Sequence, residues 1–228
     1  MMKKFVKNLF KRDIVININE VENNQTYLYE EEFTYILHLY ELYKLTQKIP
    51  GHIVEIGVGN GRNSIIFGQL IKKFGDNSTK KYHGIDTFDG YVEKDLVKQK
   101  YLDKNAWKDI DINLVNERLK SLGLSDICQL YKLNAYEIKE KFINQGGFQF
   151  QPDSLLVSLL YVDCNSYGAA KHTIDSLMPY MSKGSVIAID EKRLGGETKA
   201  LKEIANEYNL TLEKDMFPSI YTYIKLNN

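Results

Sequence analysis

Two groups of residues in this chain have types and spacings that suit chemistry. The first is Val54-Glu55-Ile56-Gly57-Val58-Gly59-Asn60-Gly61, an apolar strand carrying one acid that runs into three glycines spaced two apart. Glycine has no Cβ and tolerates positive φ, so this loop turns sharply and admits a bulky ligand to the main chain. A nucleotide-like ligand is implied. The second group closes two apolar runs, Tyr161-Val162-Asp163-Cys164-Asn165-Ser166-Tyr167 and Ala188-Ile189-Asp190-Glu191. If these runs are neighbouring parallel strands, Asp163, Asn165, Asp190 and Glu191 converge on one crevice. Gathered carboxylates repel unless a cation or proton lies among them, and an oxygen-only set suits Mg²⁺ or another hard divalent ion. Helix N-capping by Asp163 or Asn165 and by Asp190 is the plainer explanation, but it accounts for one residue at each strand end, not for four.

Spacing separates the nucleotide readings. The dinucleotide fingerprint G-x-G-x-x-G needs a glycine at position 62, where Arg62 stands, and a phosphate loop would need the lysine that Gly61-Arg62-Asn63-Ser64 lacks. The pattern E-x-G-x-G-x-G resembles motif I of class I S-adenosylmethionine methyltransferases. That resemblance implies Glu55 near the cationic amino-acid end of the cofactor, a natural partner for a carboxylate, with Gly57, Gly59, Gly61, Asn63 and Ser64 also at the cofactor. Asp86, in His83-Gly84-Ile85-Asp86-Thr87-Phe88-Asp89-Gly90, lies at the distance where nucleotide-binding α/β folds place an acid on ribose hydroxyls, with Thr87 beside it. A turn role is its rival, although Asp89-Gly90 suits that duty better. Adenine is expected against Leu133, Asn134 and Ala135.

These residues need a scaffold of alternating strands and helices. Glu31 to Gln47 carries apolar residues at helical spacing and is stopped by Pro50-Gly51, an accessory helix ahead of the core. Strands are expected at His52 to Ile56, Tyr82 to Asp86, Ile127 to Leu133, Leu155 to Asp163 and Ser185 to Asp190, the last after Lys183-Gly184, a helix-ending signal. Helices are expected from about Arg62 to Phe74 and from about Glu197 to Tyr208. Two short alternating segments, Leu210 to Glu213 and Ile220 to Leu226, then read as an antiparallel hairpin. The fold class is α/β, Rossmann-like, with a mostly parallel seven-stranded sheet and helices on both faces. Gly90 to about Asp111, holding the only tryptophan, Trp107, is too long for a plain connection. It is a candidate lid over the acceptor, or equally a solvated loop with a short helix.

The bulk numbers exclude other classes. A chain of 228 residues suits one domain over 1–228, with residues 1–50 accessory and 51–228 the catalytic core. Thirty basic and thirty acidic residues cancel, so no global field attracts nucleic acid. Two cysteines, Cys128 and Cys164, make no disulfide framework, and a reducing cytoplasm fits. No run is long and apolar enough to span a membrane. Met1 to Arg12 sets Phe5, Val6, Leu9 and Phe10 at helical spacing among basic residues, which suits a terminal helix packed on the domain or a second subunit, or a weak peripheral membrane contact. The histidines have no zinc-ligand spacing.

From Glu31 onward the chain resembles the macrocin O-methyltransferase family of sugar-modifying bacterial enzymes. The residues that carry the likeness are Ile49-Pro50-Gly51-His52 leading into the glycine loop, Gly84-Ile85-Asp86-Thr87-Phe88-Asp89-Gly90, Leu159 to Tyr167, Leu177 to Ser185 and the acidic pair Asp190-Glu191. In that family strand four ends in D-x-D-x-Y and strand five in D-D. The resemblance implies Asp163 as general base, and Asp163, Asn165, Asp190 and Glu191 as ligands of a divalent metal, Mg²⁺ first. Asn165 and Glu191 both depart from aspartate; losing an anionic ligand weakens a hard-cation site. Lys192 and Arg193 follow as an anion-binding pair or a solvated turn. The expected activity is O-methylation of a sugar or glycan-precursor hydroxyl by S-adenosylmethionine. Its rivals are transfer to an amine, carboxylate or phosphoryl-type oxygen without metal, and a non-catalytic S-adenosylmethionine binder.

Overall fold

The computed structural model describes residues 6–7, 13–14, 30–144, 155–190, 195–214 and 222–227. Seven strands form one sheet: β1 (His52–Ile56), β2 (Tyr82–Asp86), β3 (Cys128–Lys132), β4 (Val157–Val162), β5 (Met181–Ile189), β6 (Leu212–Lys214) and β7 (Thr222–Lys225). Their order is β3-β2-β1-β4-β5-β7-β6. The first five run parallel, and β7 lies antiparallel to both β5 and β6. The order reverses between β1 and β4, which is where open α/β sheets open a crevice at the carboxyl ends of their strands.

Strand periodicity divides the core into two layers. Leu160 and Val162 face one side, with Val54, Ile187 and Ile189, while Leu159 and Tyr161 face the other, with Ile53, Val186 and Ala188. Because successive side chains alternate, strands covered on both faces must be apolar throughout, as β4 is. The first layer is closed by α5 (Tyr167–Leu177) and α6 (Gly196–Glu207) through Ala170, Ile174, Leu201 and Ile204. The second is closed by α1 (Glu30–Thr46) and α2 (Arg62–Phe74), whose Leu39, Leu42, Tyr43, Phe67 and Ile71 are fully buried. The accessory helix is therefore a wall of the core.

Three local expectations change. Lys183-Gly184 lies inside β5 and ends no helix; α5 has already stopped at Leu177, and Gly184 at φ +88° sits where the β4–β5 register shifts. A glycine at positive φ serves a bulge as well as a helix C-cap, so composition alone does not distinguish them. Between β2 and β3 the chain forms α3 (Glu93–Lys98) within the long insertion, then α4 (Ile112–Ser121), capped by Asp111 accepting from the Asn113 N–H. At the N-terminus Val6–Lys7 pairs antiparallel with Asp13–Ile14, so helical spacing does not describe those positions. The remainder of the basic segment lies outside the described residues. No helix among the described residues is long and apolar enough to cross a membrane.

The glycine loop leaves β1 against β4. The Gly57 N–H donates to Ile85 O (2.9 Å) and the Asp163 N–H to Ile56 O (2.8 Å), continuing both ladders past the strand ends. Gly57 has φ +93°, and a Cβ there would lie 1.8 Å from the Asp163 carbonyl oxygen. Alanine at 57 must push main chain aside. Gly57→Ala is expected to lower unfolding free energy by at least about 3 kcal/mol in urea titrations. Gly75→Ala, at φ +74° but with nothing within 4 Å, pays conformational strain alone, about 1 kcal/mol.

Candidate active site

Parallel pairing brings the acidic termini together. Asp163 follows β4 and Asp190 follows β5, with the Asp190 N–H donating to Val162 O at 3.1 Å. Neither is a helix cap: Ser166 caps α5, accepting from the Ala169 N–H, and the N-cap of α6 is Gly195, with no side-chain cap. Burial first, and then Asp190, Glu197 and Glu55, hold the Asp163 carboxyl well above the usual carboxylate range, with Arg62 opposing. Asp190 is raised by burial against hydrogen bonding from Tyr161 and the nearby Arg62 charge. Asn165 follows in a left-handed conformation (φ +55°), which asparagine tolerates. Its N–H donates to Glu197, and its carbonyl accepts from Gln99 and Tyr101 at 3.4 and 3.3 Å. Glu191, Lys192 and Arg193 lie outside the described residues. Among the described residues no group of three or more His, Cys, Asp or Glu is arranged to hold a metal ion.

On the neighbouring strands, Asp86 reaches the glycine loop. Its Oδ2 accepts from the Gly59 N–H (2.9 Å) and its Oδ1 from the Phe88 N–H (2.7 Å), so the same carboxylate also makes the turn expected of Asp89-Gly90. Thr87 Oγ donates to Gly90 O at 2.7 Å. Asn134 caps a short 3₁₀ turn at Ala135–Glu137, with its Oδ1 accepting from the Tyr136 N–H. Gly61, at φ +81°, opens α2.

Residues 54–191 match the protein family described as Methyltransferase domain. The chain belongs to that family. It is an S-adenosylmethionine-dependent methyltransferase. Among solved structures, the calicheamicin methyltransferase CalS11 matches at TM-score 0.74 and 21% identity, covering 93% of this chain and 87% of that one. The apo structure of CalS11, a TDP-rhamnose 3'-O-methyltransferase, matches at 0.68 and 21%, covering 93% and 88%. The O-methyltransferase NovP matches at 0.68 and 16%, covering 83% and 79%. These likenesses establish the Rossmann-like methyltransferase fold. No curated protein sequence matches.

Beneath the methyltransferase's glycine loop lies a polar chain that sequence reasoning missed. Tyr161 OH donates to Asp190 Oδ1 (3.1 Å) and lies 3.1 Å from Tyr35 OH; Tyr35 OH donates to Asn63 Oδ1 (2.9 Å); Asn63 Nδ2 donates to Glu55 Oε1 (2.7 Å). Tyr82 OH donates to the other Glu55 oxygen and accepts from Ser64 Oγ at 2.9 Å. Glu55 shares its strand face with Ile53, the face that α1 and α2 cover, and is wholly buried. Three residues expected around the cofactor are thus joined in one network, Asn63 directly to Glu55 and Ser64 to Glu55 through Tyr82. Arg62 stacks its guanidinium 3.7 Å from the Tyr35 ring centroid and faces both strand-end carboxylates. Glu197, Tyr161, Tyr35 and Arg62 come from four distant stretches, and no local motif marks them as partners.

Burial pushes the Glu55 carboxyl from 4.5 up to about 8, although Tyr82 and Asn63 hydrogen-bond to it. A raised folded-state value means that the folded protein holds a proton which the unfolded chain releases above about pH 4.5. The stabilising linkage is present below that pH and is lost as pH rises toward 8. Glu55→Gln removes an acceptor, a pH-independent cost, and also removes this slope. Urea unfolding at pH 5 and pH 8 should show the variant gaining on the wild type by a few kcal/mol; parallel profiles would show that Glu55 does not titrate in that window.

Proposed function

We propose that this methyltransferase carries the methyl group of S-adenosylmethionine to a hydroxyl of a sugar or glycan precursor, as an enzyme of the macrocin O-methyltransferase type. The observation that carries the reading is the position of Asp163, a half-buried acid where β4 gives way to the crevice beside the glycine loop. Its main-chain carbonyl lies hard against Gly57, and burial together with Asp190, Glu197 and Glu55 raises the proton affinity of its carboxyl, with Arg62 opposing. A hydroxyl attacking a sulfonium methyl must lose its proton, and a carboxylate with raised affinity is suited to receive it. The C–O bond forms as the C–S bond breaks, the sulfur leaves with the bonding pair, and the proton passes to Asp163. The protein's larger task is alignment of donor and acceptor. CalS11, a TDP-rhamnose 3'-O-methyltransferase, supports the sugar class.

In this reading residues 51–228 form the catalytic core and 1–50 an accessory segment. Gly57, Gly59 and Gly61 give the cofactor its approach, Asp86 and Thr87 stand at the ribose, and Asn134 and Ala135 stand at the adenine. Glu55, Asn63 and Ser64 support the loop from beneath. Asp163 and Asp190 disfavour each other's ionisation, the chemistry of a site that accepts a cation; with Asn165 and Glu191 they would hold a divalent ion, Mg²⁺ first. Bound there, such an ion would favour the alkoxide form of the acceptor. Arg62 favours a second reading, because it already sets a cation beside both acids. Under it the acceptor is an amine, a carboxylate or a phosphoryl-type oxygen, and no metal is needed.

Asp163→Asn is expected to lower kcat by a factor of about 10² to 10⁴ while calorimetric binding of S-adenosylmethionine stays within about threefold. Turnover of nucleotide-linked sugars by the variant at the wild-type rate would dismiss the assigned base. EDTA followed by Mg²⁺ separates the two readings: loss and recovery of activity supports the metal-assisted one, and unchanged rates support the arginine-neutralised one.

A further inference from the structure

The insertion between β2 and β3 rests on the donor loop. Gly59 has φ +53°, and a Cβ there would lie 3.3 Å from Cζ3 and 3.5 Å from Cε3 of Trp107, so the indole packs on the main chain of the middle glycine. Its N–H hydrogen-bonds to Tyr91, whose hydroxyl is near Asp163, Cys164 and Glu197. The insertion is pinned at its base, with the Ile110 N–H donating to Phe88 O at 3.2 Å. At its outer edge Gln99 Oε1 accepts from the Tyr167 N–H (2.6 Å), and the Gly196 N–H donates to Tyr101 OH (3.2 Å). Phe88 and Trp107, at φ 53° and 62°, hold a left-handed conformation that costs such bulky side chains energy, and Asp109 follows at φ 55°. A strained segment is thus clamped across the carboxyl ends of β1, β4 and β5, with its indole on the main chain of the glycine loop.

We propose that Trp107 closes the S-adenosylmethionine site: its indole covers Gly59 in the free enzyme, leaves the main chain when the cofactor arrives, and then packs on the bound cofactor with Tyr91 alongside. The indole and the cofactor need the same face of Gly59, so binding and indole position are coupled. A flat aromatic ring over a sulfonium-bearing ligand gains both apolar contact and attraction between the cation and the ring face. Tyr91 links this closure to the acceptor side, because it is hydrogen-bonded to the indole and lies near Asp163. The inference rests on S-adenosylmethionine as donor and is independent of which acceptor is methylated.

Trp107 is the only tryptophan in the chain, so its fluorescence reports on this one contact. Titrating the full chain with S-adenosylmethionine, and with its demethylated product, should shift the emission saturably, with the same midpoint as the calorimetric binding curve. Trp107→Ala should weaken cofactor binding roughly three- to tenfold. Trp107→Phe, which keeps a ring, should recover most of that loss; Tyr91→Phe should keep the fluorescence response while weakening binding less than Trp107→Ala does. Calorimetric binding without a change in emission would overturn the proposal. So would tighter binding by Trp107→Ala, since the indole would then only obstruct the site. Absence of calorimetric binding by the wild type would strike at the donor assignment itself, and is thereby separable from a failure of the closure.

Discussion

The close approach of β1 to β4 governs this site. Gly57 sits so near the Asp163 carbonyl that no side chain fits between them, and the two strands keep their ladder up to that point. This contact sets the glycine loop beside the acidic strand ends, so both open on one crevice. Neither half has that proximity by itself, and the parallel register supplies it. The insertion and the helix N-termini after β4 and β5 are then built around the gap that the register leaves.

The accessory helix takes part in the same construction. Tyr35 of α1 joins Tyr161 of β4 to Asn63 of α2, and through Asn63 to Glu55 of β1, so four elements meet in one buried polar chain that ends at Asp190. Such a chain contributes little net stability when satisfied and costs much when broken, because an orphaned buried group keeps its desolvation penalty. Its effect is geometric. It orients Asp190 from behind and holds the first turn of α2, from which Arg62 faces both carboxylates.

Most of the architecture was legible because strands buried on both faces have no choice of composition. The apolar run of β4 announced itself, as did β1 and α2 on either side of the glycine loop and β2 by its terminal acid. Boundaries failed where one residue type serves two purposes: Gly184 reads equally as a helix stop and as a bulge, and Asp111 reads as loop although it caps α4. Asp86 was legible as a strand-end acid, but its simultaneous hold on Gly59 and Phe88 was not, because both partners are main-chain groups that every residue possesses.

By itself the sequence determined the strand–helix alternation, the glycine loop and the acids that end β4 and β5, since these depend on local spacing and on the absence of a Cβ. Tertiary structure decided where those residues face. Alternation along β1 turned Glu55 into the layer under α1 and α2, and a residue's side of a sheet depends on which helices cover it. Folding across more than a hundred residues brought Tyr35 and Arg62 to the acids, the start of α6 added Glu197, and an insertion without regular pattern laid Trp107 on Gly59. Such contacts join residues that share no spacing rule, and only the folded chain brings them together.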